Sequence, residues 1–196
     1  MNKPKLIKWV AKPVVFFLAL LPFLVLVVGI IDQDLGADPQ KYVVHKTGEW
    51  ALRFLLITLS ITPFRRWFKM PQLIKFRRMT GLFVMFYATL HLTSYYLLLL
   101  EGDILNVVED IVERPYITVG FTAWLLLIPL TITSTNKMMR RLGKKWIKLH
   151  RLVYWIMGLG LLHFIWLIKS DLNEPVLYVL IAAVLGGYRI WFKYKK

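Results

Sequence analysis

MTGLFVMFYATLHLTSYYLLLL, residues 79–100, decides the fold. These twenty-two residues include no Asp, Glu, Lys or Arg, and their one side chain of a type that titrates near neutral pH is His91, a little past the middle. A hydrocarbon core of ~30 Å needs roughly 20 residues of helix, so the stretch reads as a membrane span. A titratable side chain at membrane depth is costly, and His91 is therefore a functional candidate from the outset.

Five further runs of similar character flank it, over residues 13–31, 42–64, 115–133, 149–168 and 175–192. The expectation is an all-α membrane protein, a six-helix bundle forming one domain over residues 1–196. The first run follows a basic stretch as a signal peptide would, but it continues past Leu26 with no small-residue cleavage site, and it is expected to be retained. Composition agrees. Hydrophobic residues make up 58% of the 196, charged residues 19%, and mean hydropathy is +0.56. Such values exclude an ordinary soluble globular enzyme. Cysteine is absent, which removes disulfide scaffolds, iron–sulfur clusters, zinc–thiolate sites, thiol catalysis and a thiolate haem ligand.

The net charge of +15 would suggest nucleic acid in a soluble chain. Here its distribution speaks for a membrane and against a nucleic-acid partner. Twenty-one of the 26 basic residues fall in four alternate segments: before the first span, from Arg65 to Arg78, from Lys137 to Arg151, and from Arg189 onward. All eleven acidic residues, among them Asp32, Asp38, Glu49, Glu101, Asp110, Asp171 and Glu174, lie in the other connections or at the span ends facing them. The positive-inside rule then puts both termini in the cytoplasm. In the longest outer connection Ile104, Val107, Val108, Ile111 and Val112 recur at helical spacing, the pattern of a short amphipathic helix on the outer surface, resting on headgroups or receiving an outer partner.

Few residues at membrane depth carry chemistry: His91 in the third span, His163 in the fifth and Arg53 in the second. The third and fifth spans run in the same direction. His91 lies twelve residues beyond Met79 and His163 thirteen beyond His150, so both sit ~18–20 Å from the inner boundary. Two neutral imidazoles at matching depth can hold a b-type haem iron through one lone pair each. Ala88, Ser94 and Gly160, one turn from these histidines, would leave room for a flat macrocycle, or would simply let helices approach closely.

His150 shares its depth with Arg78, but a helix turns ~100° per residue, and thirteen residues do not return to the same face. Aiming both His150 and His163 into one cavity needs a local bulge. His45, Glu49 and Arg53 form an i, i+4, i+8 stripe, in which Arg53 either pairs with Glu49 or reaches a haem propionate. Arg77, Arg78 and the run from Lys137 to Arg151 suit lipid headgroups, a flavin phosphate or an acidic cytosolic protein. With His150, Arg77 and Arg78 form the one cluster near the inner face that could serve a second redox centre. No glycine-rich nucleotide fingerprint is present, so the chain has no NAD- or FAD-binding domain of its own. Two classes of function remain: a membrane electron-transfer subunit, and a non-redox protein such as a membrane anchor or small transporter.

Seven strings in order make the chain resemble the MsrQ (YedZ) family, haem-binding membrane subunits of bacterial periplasmic methionine sulfoxide reductase systems. They are LGADP at 35–39, LSITP at 59–63, RRMTGL at 77–82, ATLHLTSY at 88–95, RPYITVG at 114–120, TSTN at 133–136 and LGKKWIKLHRLVY at 142–154. The resemblance implies a ferric-reductase-like fold in the bacterial inner membrane, with one or two haems b and flavin mononucleotide (FMN). It implies iron ligands at His91, His150 and His163, and electrons from a cytosolic flavin reductase or membrane quinol. The acceptor would be a molybdenum-containing periplasmic methionine sulfoxide reductase that repairs oxidised proteins. The chain would then be one subunit of an oxidoreductase system, not a complete enzyme. Related eukaryotic oxidases and ferric reductases use two histidines on each of two helices; here Arg78 stands at one of those four positions.

Overall fold

The structure is a computed structural model that describes residues 3–168 and 173–195. Asp171 and Lys196, both used in the charge argument, lie outside the described residues. Among the described residues every regular element is helical: α1 (Lys3–Leu6), α2 (Lys12–Ile31), α3 (Pro39–Trp67), α4 (Arg77–Ser94), α5 (Ile104–Glu113), α6 (Pro115–Ile132), α7 (Asn136–Leu142), α8 (Lys144–Leu149), α9 (Val153–Leu167) and α10 (Asn173–Tyr194). Short π turns lead into α2 and extend α4, and a 3₁₀ turn, His150–Leu152, joins α8 to α9.

Helix starts follow local chemistry. Asp38 caps α3 by accepting the Lys41 N–H at 3.1 Å, and Pro39 takes the first position, where no N–H is needed. The same hydrogen bond, with the Lys41 ammonium, holds the Asp38 carboxyl below its ordinary range. Pro115 likewise opens α6. Gly143, at φ +49°, separates α7 from α8 in a backbone conformation that other residues adopt at a cost.

Among the described residues five helical segments are long and apolar enough to cross a membrane: Ile7–Ile31, Arg77–Leu99, Pro115–Ile132, Lys144–Leu167 and Glu174–Phe192. Their outward faces expose Phe17, Leu18, Val25, Leu180 and Val184, as lipid contact requires, and the protein is a multi-pass membrane protein. The remaining expected span lies within α3, which differs from the rest. At 29 residues α3 is ~43 Å long, more than enough to cross, but it carries Lys46, Glu49 and Arg53. It tolerates them because it is the helix most enclosed by protein. Leu52, Phe54, Leu55, Leu56 and Leu59 are all buried, Leu59 completely.

Two helix pairs build the core, α3 with α4 and α6 with α9. Tyr87 of α4 is fully buried; its hydroxyl donates to the Ala19 carbonyl at 2.8 Å and accepts from the Phe23 N–H at 3.2 Å, pinning α2 to the bundle. Its ring stacks on Phe54 at 5.3 Å. On the opposite side, Arg189 of α10 donates to the Leu59 carbonyl at 2.7 Å, and Arg53 donates to the Tyr178 hydroxyl at 2.8 Å. Buried polar groups here tie one helix to another, as a membrane interior demands.

Candidate functional site

The two core pairs bring His91 on α4 and His163 on α9 face to face. The His91 Nδ1–H donates to the Val44 carbonyl of α3 at 2.8 Å, and the His163 Nδ1–H donates to the Tyr116 carbonyl of α6 at 2.6 Å. A carbonyl can only accept, so each Nδ1 carries the proton and each Nε2 keeps its lone pair. This is how a metal-ligating histidine is usually held: its second nitrogen is fixed by a backbone carbonyl. The ring centres are 6.1 Å apart and the planes cross at 75°.

Both rings line one cavity of about 340 Å³, whose walls are chiefly apolar and include Leu52, Leu55, Leu127 and Ile156. With a metal–nitrogen bond of ~2.0–2.1 Å and the ring centre about 1.1 Å behind the nitrogen, two imidazoles on one metal hold their centres about 6.3 Å apart. The observed separation fits that value. Among the described residues no group of three His, Cys, Asp or Glu side chains could cage a bare metal ion. Two imidazoles that line one apolar cavity, each with Nδ1 committed to a carbonyl, suit an iron whose remaining ligands a macrocycle would supply, and the residues present therefore fit haem.

The expected small neighbours divide. Ala88 and Gly160 line the cavity. Ser94 turns away instead, donating to the His91 carbonyl at 2.9 Å and lying 3.4 Å from the Thr47 hydroxyl. Two glycines that the sequence analysis did not single out back the histidines. A Cβ on Gly48 would lie 3.1 Å from the His91 ring, and one on Gly120 only 2.7 Å from His163 Nδ1. A signal for them existed in the numbering. Val44, Gly48 and His91 recur 72 residues later as Tyr116, Gly120 and His163, and each carbonyl precedes its histidine by 47 residues. The same offset relates Ala88 to Gly160 across the cavity, and Arg78 to His150. The two helix pairs thus line the cavity in matching register.

At the acidic end, Lys41, His45, Glu49 and Arg114 line the cavity mouth. The outer helix forms as the pattern predicts, and Val107 and Ile111 of α5 roof the mouth, while Ile104, Leu105 and Val112 stay exposed. Buried Asp110 fixes this roof by accepting from the Tyr95 hydroxyl and from Arg114 at 3.0 Å. Arg53 does not line the cavity. It donates to Glu49 at 2.9 Å and to Tyr178, and its guanidinium lies 4.9 Å from the Trp50 ring centre.

His150 sits in its 3₁₀ turn outside the cavity lining. Thr133 donates its hydroxyl proton to the Pro129 carbonyl, so its oxygen accepts from His150 Nε2–H at 3.1 Å. Trp146 stacks on the imidazole at 3.9 Å and donates its indole N–H to the Thr133 carbonyl. Arg78 donates to Asn136 at 2.8 Å. Arg77 is near enough for its charge to be felt at His150 and Arg189. These groups share the basic end of the bundle.

Comparison with known proteins gives the family. The model of the family described as "Ferric reductase like transmembrane component" matches residues 18–161. A "Protein-methionine-sulfoxide reductase heme-binding subunit MsrQ" of Xanthomonas campestris pv. campestris (strain B100) is 58% identical over 157 residues, 80% of this chain and 72% of the relative. The protein of that name from Xanthomonas oryzae pv. oryzae (strain MAFF 311018) is 57% identical over 159 residues, 81% of this chain and 73% of the relative. Its namesake from Polaromonas naphthalenivorans (strain CJ2) is 45% identical over 96% of this chain and 90% of its own length. No solved structure matches. The chain belongs to the ferric reductase like transmembrane component family and, within it, to the MsrQ family.

Proposed function

We propose that the protein is the electron-transfer subunit of a methionine sulfoxide reductase system, holding haem b between His91 and His163. One observation carries this reading. Two imidazoles face each other across an apolar cavity, each with its Nδ1–H given to a backbone carbonyl and its Nε2 free. A haem iron bound there would pass one electron at a time by cycling between ferric and ferrous states.

The chain's own residues do the rest. Val44 and Tyr116 fix the tautomer and make each histidine a stronger donor. Val107 and Ile111 limit water at the mouth, and Lys41, His45 and Arg114 offer positive or hydrogen-bonding groups to haem propionates there. We take α3 as the sixth span and both termini as cytoplasmic, on the alternating charge of the connections. The membrane is then the bacterial inner membrane, and the cavity lies nearer the periplasm. Electrons leave towards a periplasmic, molybdenum-containing reductase that repairs oxidised methionine in proteins.

The haem site is ~18–20 Å from the basic end, too far for rapid direct transfer from a cytosolic donor. A second redox centre near that end, FMN or another haem, would close the gap. His150 would ligate it or bond to it, and Arg77 and Arg78 would hold its phosphate or propionate oxygens. Flavin reductase or quinol would be the donor.

The test is the visible spectrum of the purified protein. Sharp Soret and α bands on dithionite reduction, with haem b released by extraction, are the expected result. A colourless protein would remove the redox reading and leave a non-redox anchor or transporter. A reporter fused after Lys196 should be active only on the cytoplasmic side.

A further inference from the structure

We propose that Gly48 and Gly120 are positioning residues for the two histidines, each providing the clearance that lets an imidazole reach a helix carbonyl and stay fixed for iron. This rests on the haem reading and adds to it a feature built twice into the chain. In an α-helix the carbonyl of residue i points at the N–H of residue i+4. A group that adds a second hydrogen bond to that carbonyl must come in beside residue i+4, where a side chain would stand in its way. Val44 and Gly48 have this relation on α3, and Tyr116 and Gly120 have it on α6.

The space at these two positions is taken by the histidines themselves. The three atoms nearest a Cβ on Gly48 all belong to His91, from 3.1 to 3.6 Å, and those nearest a Cβ on Gly120 all belong to His163, from 2.7 to 3.1 Å. Gly29 is also crowded, by the Leu35 side chain at 2.5 Å, but no other glycine of the chain meets an imidazole. Gly158, Gly186 and Gly187 have no atom within 4 Å, Gly160 meets only Leu52 at 3.9 Å, and Gly81 only Thr58 at 3.7 Å. Helix–helix approach, the usual reason for small residues between membrane helices, does not account for Gly48 and Gly120, whose nearest atoms are those of an imidazole ring. Glycine within a helix is less stable than alanine, so each position gives up helix stability for this clearance.

The two copies are unequal. At 3.1 Å an added methyl asks the His91 ring to yield by a few tenths of an ångström. At 2.7 Å the His163 ring must move, and it is tied to Tyr116 by the shorter of the two hydrogen bonds. Gly120→Ala should therefore disturb the site more than Gly48→Ala.

The experiment uses the full-length protein in detergent, with Gly48→Ala, Gly120→Ala and Gly158→Ala compared by haem content, visible spectrum and low-temperature electron paramagnetic resonance of the ferric state. Gly120→Ala is expected to lower haem affinity ~10–100-fold and to replace the low-spin signal with a high-spin one. Gly48→Ala should keep its haem but shift the low-spin g values, because ring orientation sets them. Gly158→Ala, which would meet no atom within 4 Å and lies outside the cavity lining, should match the wild type. Wild-type g values in both Gly48→Ala and Gly120→Ala, or equal shifts in all three variants, would overturn the proposal. If Gly120→Ala does not fold, Gly48→Ala against Gly158→Ala decides it. A wild-type protein with no low-spin haem would instead refute the haem reading itself.

Discussion

His163 and His150 are both served by α9 and its leading turn, yet the structure uses them differently. His163 gives its Nδ1–H to a backbone carbonyl and opens Nε2 towards an apolar cavity shared with His91. His150 gives its Nε2–H to the Thr133 hydroxyl, lies under the Trp146 ring and borders no part of that cavity. The difference teaches that a histidine's role is set by what its other nitrogen and its ring face touch. One ring is paired with a second imidazole across an apolar cavity. The other is half-buried among cations, suited to polar oxygens or a flat ring arriving from the basic end.

The largest effect should come from breaking the paired site. Replacing His91 or His163 by Ala should abolish the low-spin haem spectrum, whereas His45→Ala should leave it largely intact. A bis-histidine spectrum surviving in both single variants would mean that the cavity is not the haem site. Next comes the His150 side of the contrast. We expect His150→Ala to keep the outer haem while slowing its reduction by a flavin reductase or quinol about tenfold, a barrier increase of ~1.4 kcal/mol. Stopped-flow haem reduction reads this directly, and an unchanged rate would leave His150 a packing residue of the Thr133–Trp146 turn.

Smaller effects separate ligand chemistry from scaffolding. Arg53→Ala removes hydrogen bonds to Glu49 and Tyr178, and stability in detergent should fall by about 2 kcal/mol with the Soret band unmoved. A shifted Soret band or weakened haem retention would instead return Arg53 to the propionates. Tyr87→Phe should cost about 1 kcal/mol through loss of the Ala19 and Phe23 bonds, seen as a lower thermal midpoint with an unchanged spectrum.

Much of this was legible before any coordinates. Residues 79–100 announce a span, and α4 with its π extension covers that stretch almost completely. Counting helix rise along the third and fifth spans put His91 and His163 at one depth, and the structure brings them together. Residues 42–64 read as a sixth span of the same character, and α3 covers them, but with Lys46, Glu49 and Arg53 it is not among the five segments apolar enough to cross. The helical phase of His150 relative to His163 already argued against a shared face; the 3₁₀ turn at His150–Leu152 does not bring them into one cavity.

The sequence by itself determined the membrane setting, the alternation of basic and acidic connections, and the depth of each titratable group. Those properties are additive along the chain: apolar length, charge count and a fixed rise per residue. Only the tertiary structure decided which nitrogen of each histidine carries the proton, that Arg53 belongs to Glu49 and Tyr178, and that Gly48 and Gly120 stand behind the two imidazoles. These depend on the rotation of one helix against another, and on partners 47 to 125 residues away in the chain. Spacing along one helix fixes height and face, but not which carbonyl of a neighbouring helix an imidazole will meet.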